Sequence, residues 1–157
     1  MTWLAMKLLC DSNVFLALTL DNHPHHTLAV AWMEALPEDA TAYFCRATQQ
    51  AYLRLLTVEP MLKSEVRSNN EALEAWNQLR SDSRVGFVPD EPSGLEARWL
   101  TLAGHSAPAP KRWMDAYLAA FAMCAKMRFV TFDAGFEQFV PLGLDLVRLK
   151  TRNTKEA

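Results

Sequence analysis

The chain has 157 residues, half of them hydrophobic, and a net charge of −2. That length suits one domain with a real core. The near-neutral balance excludes a globally basic nucleic-acid binder and leaves local basic patches open. Cys10, Cys45 and Cys124 are odd in number and form no C-x-x-C pair. They read as free buried thiols of a reducing compartment, not a disulfide frame. Residues 1–9 are too short and too weakly apolar for a signal peptide. The apolar run 116–124, bracketed by Asp115 and Lys126, is too short to span a bilayer. The expectation is a soluble cytoplasmic protein with no membrane partner.

Taken in chain order, Leu8–Cys10 reads as a buried strand and Asn13–Thr19 as a short helix opening directly after it. Asp21-Asn22-His23-Pro24 is a turn. His25–Leu36 has helical spacing, with Leu28, Trp32 and Leu36 on one stripe, and stops before Pro37. Thr41–Cys45 is a second strand. Gln49–Val58 is a helix facing inward through Tyr52, Leu53 and Leu56, with Pro60 after it.

Asn69 or Asn70 caps the next helix, which runs through Leu79 and carries Leu73 and Trp76. Val85–Val88 is a third strand closed by Pro89. Gly94–Ala103 is a helix, 104–110 a loop with two prolines, and Arg112–Met127 the longest helix. Phe129–Phe132 and Leu146–Leu149 are the last strands. Strands that alternate with helices predict a three-layer α/β/α sandwich around a mainly parallel sheet of about five strands. One domain covers 1–150, and 151–157 is a short polar tail.

Three aspartates stand at element boundaries beside apolar runs: Asp11, Asp115 and Asp133. In open α/β sheets, ligands bind beyond the carboxyl ends of the strands, so Asp11 and Asp133 are expected to meet at one sheet edge. Asp115 falls in the first turns of the long helix, where the macrodipole favours a negative charge. Carboxylates gathered in this way repel one another, and Mg²⁺ or Mn²⁺ relieves the repulsion through oxygen ligation. Asn13 is placed to orient Asp11 or a bound water. Each acid also has a plain structural role open to it: a cap for Asp11, a dipole partner for Asp115, an Asx-turn for Asp133.

The motifs carry a resemblance. Leu8-Leu9-Cys10-Asp11-Ser12-Asn13-Val14-Phe15-Leu16 resembles the opening motif of PIN-domain nucleases. Trp113-Met114-Asp115-Ala116-Tyr117-Leu118-Ala119-Ala120 with Phe129-Val130-Thr131-Phe132-Asp133-Ala134-Gly135-Phe136 resembles their closing pair. Phe44-Cys45-Arg46-Ala47-Thr48-Gln49-Gln50 with Leu53-Arg54-Leu55-Leu56-Thr57 resembles a subgroup of VapC-type toxins. The resemblance implies a Rossmann-like fold and Mg²⁺- or Mn²⁺-dependent endoribonuclease activity on RNA. It also implies a cognate VapB-type antitoxin and homodimers. By position it makes Asp11, Asp115 and Asp133 metal ligands, with Asn13 beside them in the catalytic set. The family's usual glutamate after the second strand is missing: Thr48-Gln49-Gln50-Ala51 holds no acid. Weaker metal binding is therefore expected. The alternative reading is a catalytically weak PIN-like protein that binds RNA or a partner without cutting. A small phosphatase-like hydrolase on a similar sheet is a third.

Other features weigh less. His23, His25 and His26 straddle Pro24 and read as a solvated loop rather than a transition-metal site. No G-x-S-x-G elbow, Walker loop or G-x-G-x-x-G motif occurs. Lys111 and Arg112 are candidate phosphate contacts or solvated helix-start charges. Arg46 and Arg54 share that ambiguity. Arg148, Lys150 and Arg152 give the last strand a basic face that suits an RNA backbone or a soluble tail. Trp113 beside Asp115 suits packing better than base stacking. The helices from His25 and Asn70 carry enough apolar residues to leave a groove for a partner helix.

Overall fold

The structure, a computed structural model, describes residues 5–58 and 66–150. Five strands, β1 (Lys7–Cys10), β2 (Thr41–Cys45), β3 (Val85–Val88), β4 (Arg128–Thr131) and β5 (Leu146–Arg148), form one sheet in the order β3-β2-β1-β4-β5. Every pairing is parallel. The middle strands are continuous apolar runs, because a parallel sheet is covered on both faces. Leu8, Leu9, Cys10, Phe129 and Val130 are all buried.

One face carries α1 (Ser12–Thr19), α2 (His26–Glu34), α3 (Arg46–Leu56) and α4 (Asn69–Arg80). The other carries α5 (Leu95–Ala103), α6 (Pro110–Ala125) and a 3-10 segment, Ala134–Leu142. Phe44 anchors the first layer. It stacks on Phe15 at 3.6 Å and meets Tyr52 and Trp76 edge-on. Truncation of such a fully buried ring costs about 3–5 kcal/mol. The other layer is built on alanines: Ala116, Ala119, Ala120 and Ala122 of α6 are buried, which lets the helix lie close to the sheet.

Several boundaries differ from expectation for identifiable reasons. Helix α3 opens at Arg46 and not Gln49, directly off β2. The Thr48 hydroxyl accepts from Cys45 N at 3.0 Å and donates to Cys45 O at 3.1 Å, so Thr48 closes a turn that has no ordinary capping residue. Helix α4 is capped by Ser68, not by an asparagine. Ser68 Oγ accepts from Glu71 N at 3.1 Å while Glu71 Oε1 accepts from Ser68 N at 3.0 Å. This is the reciprocal S-x-x-E box. Helix α6 starts at Pro110, which needs no donor in the first turn. Pro60 and the tail from 151 lie outside the described residues.

The inward lines of two helices also differ. α2 buries Ala29 and Met33 while Trp32 and Leu36 flank them, and α4 buries Ala72 and Ala75 while Leu73 is 48% exposed. Apart from Met33, the buried positions hold alanines, and the larger side chains lie beside them. Cys10 and Cys45 are buried free thiols, but Cys124 is half-exposed. No helix among the described residues is long and apolar enough to cross a membrane.

Candidate active site

Strand order reverses between β1 and β4, which lie side by side although far apart in sequence. The crevice beyond the carboxyl ends at such a reversal is where α/β sheets bind ligands. Asp11 leaves β1 there, and its amide still bonds Val130 O of β4 at 2.9 Å. Asp133 lies two residues past the end of β4. The N-terminal part of α6 brings Asp115 over the same edge, where Asp11 feels the charges of Asp115 and Asp133 and Asp115 feels that of Asp133.

Thr131 holds this edge together. Its fully buried hydroxyl donates to Asp11 Oδ2 at 2.9 Å. The same oxygen accepts from Asn13 Nδ2 at 3.2 Å and from Asp133 N at 3.0 Å. One donor and two lone pairs are thus all used. From sequence, Asn13 is expected to orient Asp11 or a bound water; the structure gives it no direct hydrogen bond to Asp11 but one to Thr131, which holds Asp11, and its Oδ1 accepts from Phe132 N at 3.4 Å. Thr131 is the residue that sequence reasoning passed over. The available signal was a polar residue ending an apolar strand two positions before an aspartate.

The structural roles foreseen for two acids coexist with the cluster. Asp11 Oδ1 caps α1 by accepting from Ser12 N at 2.8 Å. Asp133 Oδ1 accepts from Gly135 N at 2.8 Å, and a Cβ on Gly135 would stand 3.1 Å from that oxygen. Asp115 departs from expectation. With α6 opening at Pro110, it sits in the second turn, beyond most of the dipole's reach.

Electrostatics separate the three acids. Burial, reinforced by the charges of Asp115 and Asp133, raises the Asp11 carboxyl above the usual range against the pull of its hydrogen bonds. Burial raises Asp115 too, partly offset by Lys111. Asp133 goes the other way, because the Lys111 ammonium lies 2.8 Å from its Oδ2 and lowers it. Lys111 also stands 3.8 Å from Asp115 Oδ2, one helical turn along α6. It is therefore a largely exposed cation that pairs with both acids.

Arg112 is not free for phosphate. Its Nε donates to Leu102 O at 2.9 Å, its Nη1 to Gln138, and its guanidinium lies 5.1 Å from the centre of the Phe139 ring. Arg46 covers Phe87 at 4.7 Å. Arg148 bonds Glu137 at 2.8 Å and helps lower Asp133. Arg152 is outside the described residues. Trp113 is 55% exposed and lies about 200° around α6 from Asp115, so it faces away from the acids. The Trp99 indole N–H donates to its carbonyl at 2.8 Å. Gln50 is exposed on α3.

The sequence pattern of the PIN domain matches residues 8–140. The chain belongs to the PIN-domain family. This PIN domain is 44% identical over 143 residues to Ribonuclease VapC41 of Mycobacterium tuberculosis, spanning 89% of the chain and 98% of that relative. Its fold matches VapBC2 from Rickettsia felis bound to a DNA fragment from their promoter. The TM-score is 0.66 at 13% identity, covering 92% of this chain and all of that one. It also matches Mycobacterium tuberculosis VapC20, a Sarcin-Ricin loop cleaving toxin, with TM-score 0.62 at 17% identity over 90% and 98% of the two chains. The Rossmann-like α/β/α architecture with a parallel five-stranded sheet is thus that of the PIN domain.

Among the described residues, no three His, Cys, Asp or Glu side chains stand close enough together to share one ion as they are placed. The donor chemistry nonetheless suits a hard divalent cation. It consists of carboxylate oxygens, two of them held above their ordinary range by burial and mutual repulsion, and a cation already placed between Asp115 and Asp133.

Proposed function

We propose that this PIN domain is a metal-dependent endoribonuclease and the toxin of a VapBC-type toxin–antitoxin pair. The observation that carries the proposal is the gathering of Asp11, Asp115 and Asp133 around Thr131 and Lys111 at the β1–β4 crevice. Asp11, Asp115 and Asp133 would hold Mg²⁺ or Mn²⁺. The ion supplies charge stabilisation on a phosphodiester and a more acidic water.

The chain's own residues prepare that site. Thr131 fixes the Asp11 carboxylate in one orientation and ties it to the Asp133 backbone. Asn13 keeps Thr131 and Phe132 in register. Lys111 offsets negative charge and stands where a substrate phosphate would approach Asp133. Preorganised groups of this kind act on charge that develops in the transition state. A VapB-type antitoxin would cover the same acidic edge, and homodimerisation is part of the proposal.

The test is direct. Purified protein is incubated with total RNA, with Mn²⁺ or with EDTA. Cleavage in Mn²⁺ and none in EDTA supports the proposal. RNA bound without cleavage under either condition supports a binding protein, for which the non-acidic Gln50 is the motivating feature. Turnover of a phosphomonoester without effect on RNA supports a phosphatase-like hydrolase.

A further inference from the structure

The histidine loop is not the solvated turn its composition suggests. His26 Nδ1 bonds Ala17 O at 2.7 Å, and His25 is half-buried with its imidazole stacked on Phe132, centroids 4.6 Å apart at 13°. His23 lies tilted against His25, with ring centroids 5.7 Å apart at 46°, and its Nδ1 accepts the His25 amide at 3.0 Å. The result is a stacked pair, His25 on Phe132, with His23 tilted at its side. Phe132 lies between Thr131, which fixes Asp11, and Asp133. Its own amide is held by Asn13. The stacked pair is therefore tied by covalent bonds and hydrogen bonds to the acidic edge.

Structural need does not account for His25. It stands at the N-cap position of α2 but makes no side-chain capping bond. Its Nδ1 is buried without a hydrogen-bond partner, whereas buried polar atoms are ordinarily satisfied. An apolar residue would fill the space at lower cost. Flat rings rising beside a phosphodiester site are what single-stranded RNA uses, since every base has a face to stack.

We infer that the His25–Phe132 stack is a nucleobase subsite, which receives the base that flanks the phosphate held at Asp11 and Asp133. The inference rests on the ribonuclease reading and names how its substrate is gripped.

The experiment measures binding, by fluorescence anisotropy, of a fluorescein-labelled single-stranded RNA of mixed sequence. The parent protein carries Asp11→Asn, so that the probe survives. In that background His25→Leu keeps apolar bulk against Phe132 but removes the ring, whereas His25→Phe keeps a ring. His25→Leu is expected to weaken binding roughly five- to hundredfold, the loss of one base stack. His25→Phe is expected to stay within about threefold of the parent on the same scale. Duplex RNA, whose bases are already paired, should show no dependence on position 25.

Equal binding by the Leu variant overturns the subsite, as does an equal loss in the Phe variant or on duplex RNA. Thermal melts of each variant confirm that folded protein is compared. Failure of the ribonuclease reading looks different: wild-type protein then neither cuts nor binds RNA, and both ideas fall. If wild-type protein cuts RNA and His25→Leu binds it as well as the parent, the subsite alone is overturned.

Discussion

The Thr131 hydroxyl donates to Asp11 Oδ2 at 2.9 Å, joining the ends of β1 and β4 across 120 positions of sequence. This bond makes the active edge a single unit. Through it, any change at the end of β4 reaches the aspartate that follows β1.

Thr131→Val keeps the volume and removes three hydrogen bonds. Asp11 loses a donor, and Asn13 Nδ2 and Asp133 N lose an acceptor. Groups left unsatisfied in this way cost about 1–3 kcal/mol in total, because the partners retain some access to water. Urea denaturation should show that loss, and RNA cleavage should fall about tenfold or more, as when one positioning interaction is removed. Thr131→Ser should restore most of both.

The acids should respond to neutralisation with opposite signs. Asp115 is raised in the folded state by burial. Its contribution to stability is therefore present below the unfolded value near pH 3.9 and is lost as pH rises through its folded value. Asp133 is lowered, chiefly by Lys111. Its contribution is present above about pH 3.9 and is lost as pH falls through its folded value. At pH 7 in EDTA, Asp115→Asn should therefore raise the thermal midpoint and Asp133→Asn should lower it. Melting curves of both variants check this, and the Asp115→Asn gain should shrink on acidification.

Much of the architecture was legible from β1 and β4. Continuous apolar strands each followed by an aspartate imply a parallel sheet with acids at one edge, and both strands pair as that reading requires. The less legible parts were set by tertiary contact. Only its position, a polar residue ending an apolar strand two before an aspartate, marks Thr131 locally, because its bonds to Asp11 and Asn13 cross more than a hundred positions of sequence. Arg112 was indistinguishable in sequence from Lys111, yet one ties α5 to the 3-10 segment and the other faces the acids. His25 read as solvated because Phe132, which covers it, is more than a hundred positions away.

That divergence between neighbouring cations gives a paired prediction. Arg112→Ala removes a hydrogen bond to Leu102 O, a bond to Gln138 and cover over Phe139. It should cost about 1–3 kcal/mol, measured by urea denaturation. Lys111→Met should change stability by less than about 1 kcal/mol, because its side chain is 72% exposed and the pair is screened by solvent. Its mark should be on Asp133, whose carboxyl should rise toward the ordinary range in a carbon-13 NMR titration.

Metal should act on the fold as well as on the reaction. A ligand that binds only the native state raises its stability in proportion to the logarithm of its concentration over the dissociation constant. Mn²⁺ should thus raise the thermal midpoint of the wild-type chain, and EDTA should reverse the rise. Asp11→Asn should abolish most of the increase, because a carboxylate at the centre of the cluster is gone.

The most direct test of the central claim compares wild-type protein with Asp11→Asn in an RNA cleavage assay with Mn²⁺. Circular dichroism of both proteins establishes that they share the fold. The account predicts cleavage by the wild type that EDTA stops, and none by Asp11→Asn. Metal-dependent cleavage that persists undiminished in Asp11→Asn would contradict it.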